Sequence, residues 1–116
     1  MESEELKKLI SQGEGKGLEF KPRLPDAKHL ATLISAFANT SGGRLIVGIR
    51  EDGSIVGLDD VDHARIERAI KAISPSIEIE TETVTVDDRS VLVVTVPREI
   101  IRLISLLDEH FSVLDI

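Results

Sequence analysis

The apolar positions divide the chain into four stretches with helical spacing and five strand-like runs. Residues 2–11 carry Leu6, Leu9 and Ile10 on one face and acids at the start, where they favour the helix dipole. Gly13 ends this stretch. Glycines at 13, 15 and 17 lead into Leu18-Glu19-Phe20-Lys21, which reads as a strand stopped by Pro22 and Pro25. Asp26 then suits an N-cap, and Leu30, Leu33, Ile34, Phe37 and Ala38 keep the spacing of one buried helical face up to Gly42-Gly43.

Residues 45–49 and 55–58 are compact apolar runs around Asp52-Gly53, a strong hairpin signal. Asp59 or Asp60 caps a third helix with Ile66, Ala69, Ile70 and Ile73 on one face, and Pro75 marks its end. Residues 77–86 and 90–96 are rich in Val, Ile and Thr and are joined by residues 87–89, which predicts a second hairpin closed by Pro97. From Arg98 onward, Ile100, Leu103, Ile104, Leu107, Phe111 and Leu114 repeat at helical spacing, and Ile101 and Leu106 widen the apolar face.

The predicted order is α-β-α-β-β-α-β-β-α. It describes a single α+β domain with a mixed or antiparallel sheet, two hairpins and packed helices. Residues 1–97 form its body. The amphipathic helix 98–116 either completes the core or pairs two chains as a homodimer.

Composition narrows the classes. The 116 residues fit one core, and shares of 41% hydrophobic and 30% charged residues describe a folded soluble domain. The absence of cysteine excludes disulfides and thiolate metal sites. No apolar run approaches the ~18 residues that span a bilayer, and residues 1–5 lack the basic start of a signal peptide, so no membrane partner and a cytoplasmic location are expected. The net charge of −7 opposes binding of polyanions through the overall field. Contact with DNA or RNA must therefore be local, and Lys16, Lys21, Arg23, Arg44 and Arg50 supply the candidate basic surface in the first half of the chain.

Three motifs occur in one order: Leu18-Glu19-Phe20-Lys21, the block from Ser35 through Asn39-Thr40-Ser41 to Gly43, and Leu45-Ile46-Val47-Gly48-Ile49 followed by Asp52-Gly53 and Ile55-Val56-Gly57. Together they resemble the Schlafen AlbA-type domain over roughly residues 10–96. The resemblance implies a DNA- or RNA-binding α+β domain of the kind found in prokaryotic transcriptional regulators. In Schlafen proteins with ribonuclease activity three acids serve a divalent metal. By motif position these fall on Glu14, Glu19 and Glu51, with Lys21 beside them, and Mg²⁺ or Mn²⁺ is the implied ion. Position 51 is Glu where the nuclease members have Asp.

The residues themselves leave alternatives open. Glu19 and Lys21 lie two apart on a strand and share a face, where they pair with each other or with a metal and a phosphate. Asn39 and Thr40 sit where a helix ends, a conformational role, or offer a phosphate contact together with Arg44. A P-loop is excluded, because Gly17 follows Lys16 and a strand comes next. His29, His63 and His110 have no paired spacing and read as helix-surface residues. With three Phe and no Tyr or Trp, two of the Phe at core positions, base stacking has little support. Three functions remain: a nucleic-acid-binding module, a metal-dependent ribonuclease and a protein-interaction or dimerisation module.

Overall fold

The computed structural model describes residues 1–73 and 76–99. Its elements are α1 (Ser3–Gln12), β1 (Leu18–Lys21), α2 (Ala27–Ala38), β2 (Gly43–Val47), α3 (Asp60–Ile73), β3 (Glu80–Val86) and β4 (Arg89–Val96). The sheet order is β1-β2-β4-β3. β1 and β2 run parallel, with α2 between them in the chain, and the β2–β4 and β4–β3 pairs are antiparallel. The result is an α+β domain built on one mixed sheet.

The continuous apolar run of β4 follows from its place inside the sheet, where both faces are covered. Leu92, Val94 and Val96 join Leu45 and Val47 of β2 in a core with Leu30, Ile34 and Phe37 of α2 and Ile66 and Ile70 of α3. Val91 and Val93 point the other way, into a core with Phe20, Ile46, Val84, Val86 and Leu6 of α1. One layer thus lies on each side of the sheet. Burying each large apolar side chain contributes about 1.5–3 kcal/mol, so both layers matter to stability.

Local chemistry sets the helix starts. Asp26 accepts a 2.8 Å hydrogen bond from the His29 N–H, and Asp59 accepts one of 2.8 Å from the Asp62 N–H. Asp87 and Asp88 take φ values of 50° and 65°, which a two-residue hairpin turn requires and which Asp tolerates. Arg89 therefore belongs to β4, opposite Val86, rather than to the turn.

Three expectations change. Residues 55–58 do not form a strand, and Ile55 makes a single bridge to Ile49. The cause is backbone shape: Gly48 and Gly57 have φ of 108° and 84°, and the Gly48 carbonyl accepts from both the Val56 and Gly57 N–H groups. Strand β3 begins at Glu80 rather than at 77, although Ile77 is buried. His63 is buried on the same stripe of α3 as Ile66 and Ile70, and neither ring nitrogen has a hydrogen-bond partner among the described residues. The helix expected from Arg98 onward falls on residues 100–116, outside those described. Among the described residues no helix is long and apolar enough to cross a membrane.

Candidate nucleic-acid interface

The two motif loops meet at one end of the sheet. The first leaves α1 at Gly13, whose φ is 77° and whose N–H donates to the Ile10 carbonyl. Gly15 and Leu18 then exchange backbone hydrogen bonds of 3.0 and 3.3 Å, and the Glu14 Oε1 accepts a 3.0 Å bond from the Phe20 N–H. Leu18 and Phe20 turn these backbone groups away from β2, so the loop closes the open edge of β1. Glu14 is thereby an acceptor for an edge-strand amide.

The second loop is the exit of α2. The Thr40 hydroxyl donates to the Ala36 carbonyl at 2.9 Å and to that of Phe37 at 3.2 Å, while the Gly42 N–H donates to the Phe37 carbonyl at 2.8 Å. Gly42 has φ of 78°, and a Cβ there would stand 2.7 Å from the Val96 carbonyl oxygen. A Cβ on Gly43 would stand 2.4 Å from the Phe37 ring. These glycines let the loop lie flat across the end of β4. The Arg44 N–H then donates to the Gly17 carbonyl at 2.9 Å and joins the two loops.

Between them lies an open cleft of about 590 Å³, bordered by Gln12, Glu14, Lys16, Ser41, Arg44 and Thr95. Lys16, Ser41 and Arg44 are exposed. Neither Lys16 nor Arg44 has an ion-pair partner among the described residues. The cleft therefore presents two free cations, a hydroxyl and glycine backbone on a chain whose net charge is −7.

The other expected site residues lie elsewhere. Glu19 and Lys21 face the α2–α3 side of β1 and pair with each other at 3.4 Å, both half-buried. Arg23 borders a second pocket beyond the opposite end of β1. Arg50 donates from Nη1 to the Ser54 Oγ at 3.3 Å in the turn that also carries the exposed Glu51. In that turn Asp52 accepts from the Ser54 hydroxyl and N–H, and these bonds, with Arg50 nearby, hold its carboxyl below the usual range. Asn39 and Thr40 are exposed at the α2 exit, outside the cleft lining, and Thr40 closes the helix end.

Among the described residues no three His or carboxylate side chains gather so as to hold a metal ion. Glu14 is engaged by the Phe20 N–H and Glu19 by Lys21. The donor set that the resemblance implies for Mg²⁺ or Mn²⁺ does not fit this arrangement, and no metal-dependent step follows from it. Sequence reasoning named Lys16 and Arg44 but missed Ser41 as a cleft residue and Thr95. The signal for Ser41 was the glycine pair after it. Thr95 carries no local signal, since only the pairing of β4 with β2 brings it beside Arg44.

No curated protein sequence matches the chain. The fold is similar to the solution structure of the N-terminal domain of an ATP-dependent DNA helicase RecG-related protein from Nitrosomonas europaea, with TM-score 0.57 and 22% identity over 84% of this chain and 74% of that one. It is also similar to the crystal structure of the DIP2311 protein from Corynebacterium diphtheriae, with TM-score 0.54 and 22% identity over 80% of this chain. The aligned part spans 21% of that protein, about a fifth of its length. The family profile described as Schlafen, AlbA_2 matches residues 14–110, from the Glu14 loop through all four strands. The chain belongs to the Schlafen AlbA_2 family.

Proposed function

We propose that this domain binds DNA or RNA through the cleft between residues 13–17 and 41–44, with Lys16 and Arg44 as phosphate contacts. The convergence of the two motif loops around two unpaired cations carries this proposal. A phosphate needs positive charge and hydrogen-bond donors. Lys16, the Arg44 guanidinium and the Ser41 hydroxyl offer both at one place.

Family membership supports the same reading, as does the fold shared with part of a protein described as DNA-helicase-related. Among the described residues the aromatic side chains, Phe20 and Phe37, are buried, and the chain has no Tyr or Trp, so recognition by the described surface rests on phosphates and shape rather than on stacked bases. Such a module suits a regulator that acts on nucleic acid. Lys21, Arg23 and Arg50 lie away from the cleft and carry no part of this proposal.

Fluorescence anisotropy with single- and double-stranded DNA and RNA at low salt tests it. Binding should weaken steeply as salt rises, and Lys16→Gln with Arg44→Gln should reduce the log–log salt slope by about 1 per lost contact. Absence of binding to all four nucleic acids at low salt overturns the proposal.

A further inference from the structure

Arg23 is a basic residue of the expected surface that lies outside the cleft. It follows Pro22 at the exit of β1 and, with Arg65 of α3, borders a second pocket of about 330 Å³. Both arginines are exposed, and neither has an ion pair among the described residues. Much of the remaining wall is apolar, from Leu24, Val56, Leu58 and Ile66. Val56 is 37% exposed, although the backbone around it is well held. The Val56 and Gly57 N–H groups donate to the Gly48 carbonyl at 2.7 and 3.0 Å, and the Leu58 N–H donates to that of Ser90 at 2.7 Å. The apolar wall is thus a fixed surface.

Guanidinium groups beside fixed apolar side chains favour an anion with a hydrocarbon body. Asp62 also lines the pocket, and its Oδ2 accepts from the Asp59 N–H at 3.4 Å. The lining therefore carries one net positive charge, which matches a monoanion better than a phosphate dianion. The volume is at the small end of the ~300–1,000 Å³ range of ligand pockets, which limits the body to a short chain. We infer that this pocket is a second binding site, independent of the nucleic-acid cleft, for a small aliphatic carboxylate. Its head sits on Arg23 and Arg65, and its chain lies over Val56 and Leu58.

An NMR titration of the isotope-labelled 116-residue chain with sodium hexanoate at constant ionic strength tests the assignment, with hexylammonium and hexyl phosphate as comparison probes. Hexanoate should give saturable shifts at Val56, Gly57, Leu58 and Arg65 in the millimolar range. The shifts should disappear in Arg23→Gln/Arg65→Gln while the remaining spectrum keeps its dispersion. Shifts that fail to saturate, that hexylammonium reproduces, or that survive in the double variant overturn the site. Tighter binding of hexyl phosphate overturns the carboxylate assignment.

Discussion

Residues 14–16 and 19–21 carry the same pattern, a glutamate and a lysine separated by one residue, and backbone shape puts the two copies to opposite uses. In β1 the strand alternation sends Glu19 and Lys21 to one face, where they neutralise each other at 3.4 Å. In the preceding loop the glycines turn Glu14 back onto the Phe20 N–H and leave Lys16 unpaired beside Arg44. The lysine on β1 finds its neighbour. The lysine on the folded-back loop is left for a ligand.

The strongest way to break this contrast is to remove the shape that creates it. Gly42→Ala places a Cβ 2.7 Å from the Val96 carbonyl at a φ of 78°. It should cost at least about 2 kcal/mol, read as a lower urea midpoint, with nucleic-acid affinity falling at the same time. Next in size, Lys16→Gln should weaken binding severalfold while stability stays within about 0.5 kcal/mol. Lys21→Gln should leave affinity unchanged and cost less than about 1 kcal/mol, since a solvent-accessible, half-buried pair contributes little. Equal losses of affinity in the two variants would erase the distinction between loop and strand.

Glu14→Ala sharpens the comparison from the other side. Removing the acceptor of the Phe20 N–H should cost about 1 kcal/mol and speed exchange of that amide, and Glu14→Gln, which keeps an oxygen, should restore part of both. A pH effect comes last. Hydrogen bonds to its ionised form lower the pKa of Asp52 from 3.8 in the folded protein, so its contribution is present above 3.8 and fades as pH falls through the lower folded value. Protection of the Ser54 amide, which donates to Asp52, measured relative to its intrinsic exchange rate at each pH, should fall in that acid window.

Much of the fold was legible because burial leaves a period in the sequence. The stripes of α2 and α3 and the unbroken apolar run of β4 each name their element, and Asp26 announces a helix start. Partnership leaves no such mark, and nothing local in Leu18-Glu19-Phe20-Lys21 says that it pairs in parallel with residues 44–47. The strand expected at 55–58 failed for a related reason. Its apolar residues suit a strand, but the positive φ of Gly48 and Gly57 is visible only in the folded backbone.

Burial likewise decides His63, which reads as a surface residue by type and is buried because it falls on the stripe of Ile66 and Ile70. At the site, Lys16 and Arg44 were legible as basic residues alongside the motifs. Their separation from Lys21, Arg23 and Arg50 depends on which end of β1 each one occupies, a property of the sheet and not of the spacing.

The most direct test of the central claim is an NMR titration of the labelled domain with a short oligonucleotide at low salt. The amides of residues 13–17 and 41–44, together with Thr95, should shift along one saturable isotherm, while those of Glu19 and Lys21 should stay close to their free positions. Shifts centred on Arg23 and Arg65 or on Arg50 and Arg89, with the glycine cleft unmoved, would contradict it.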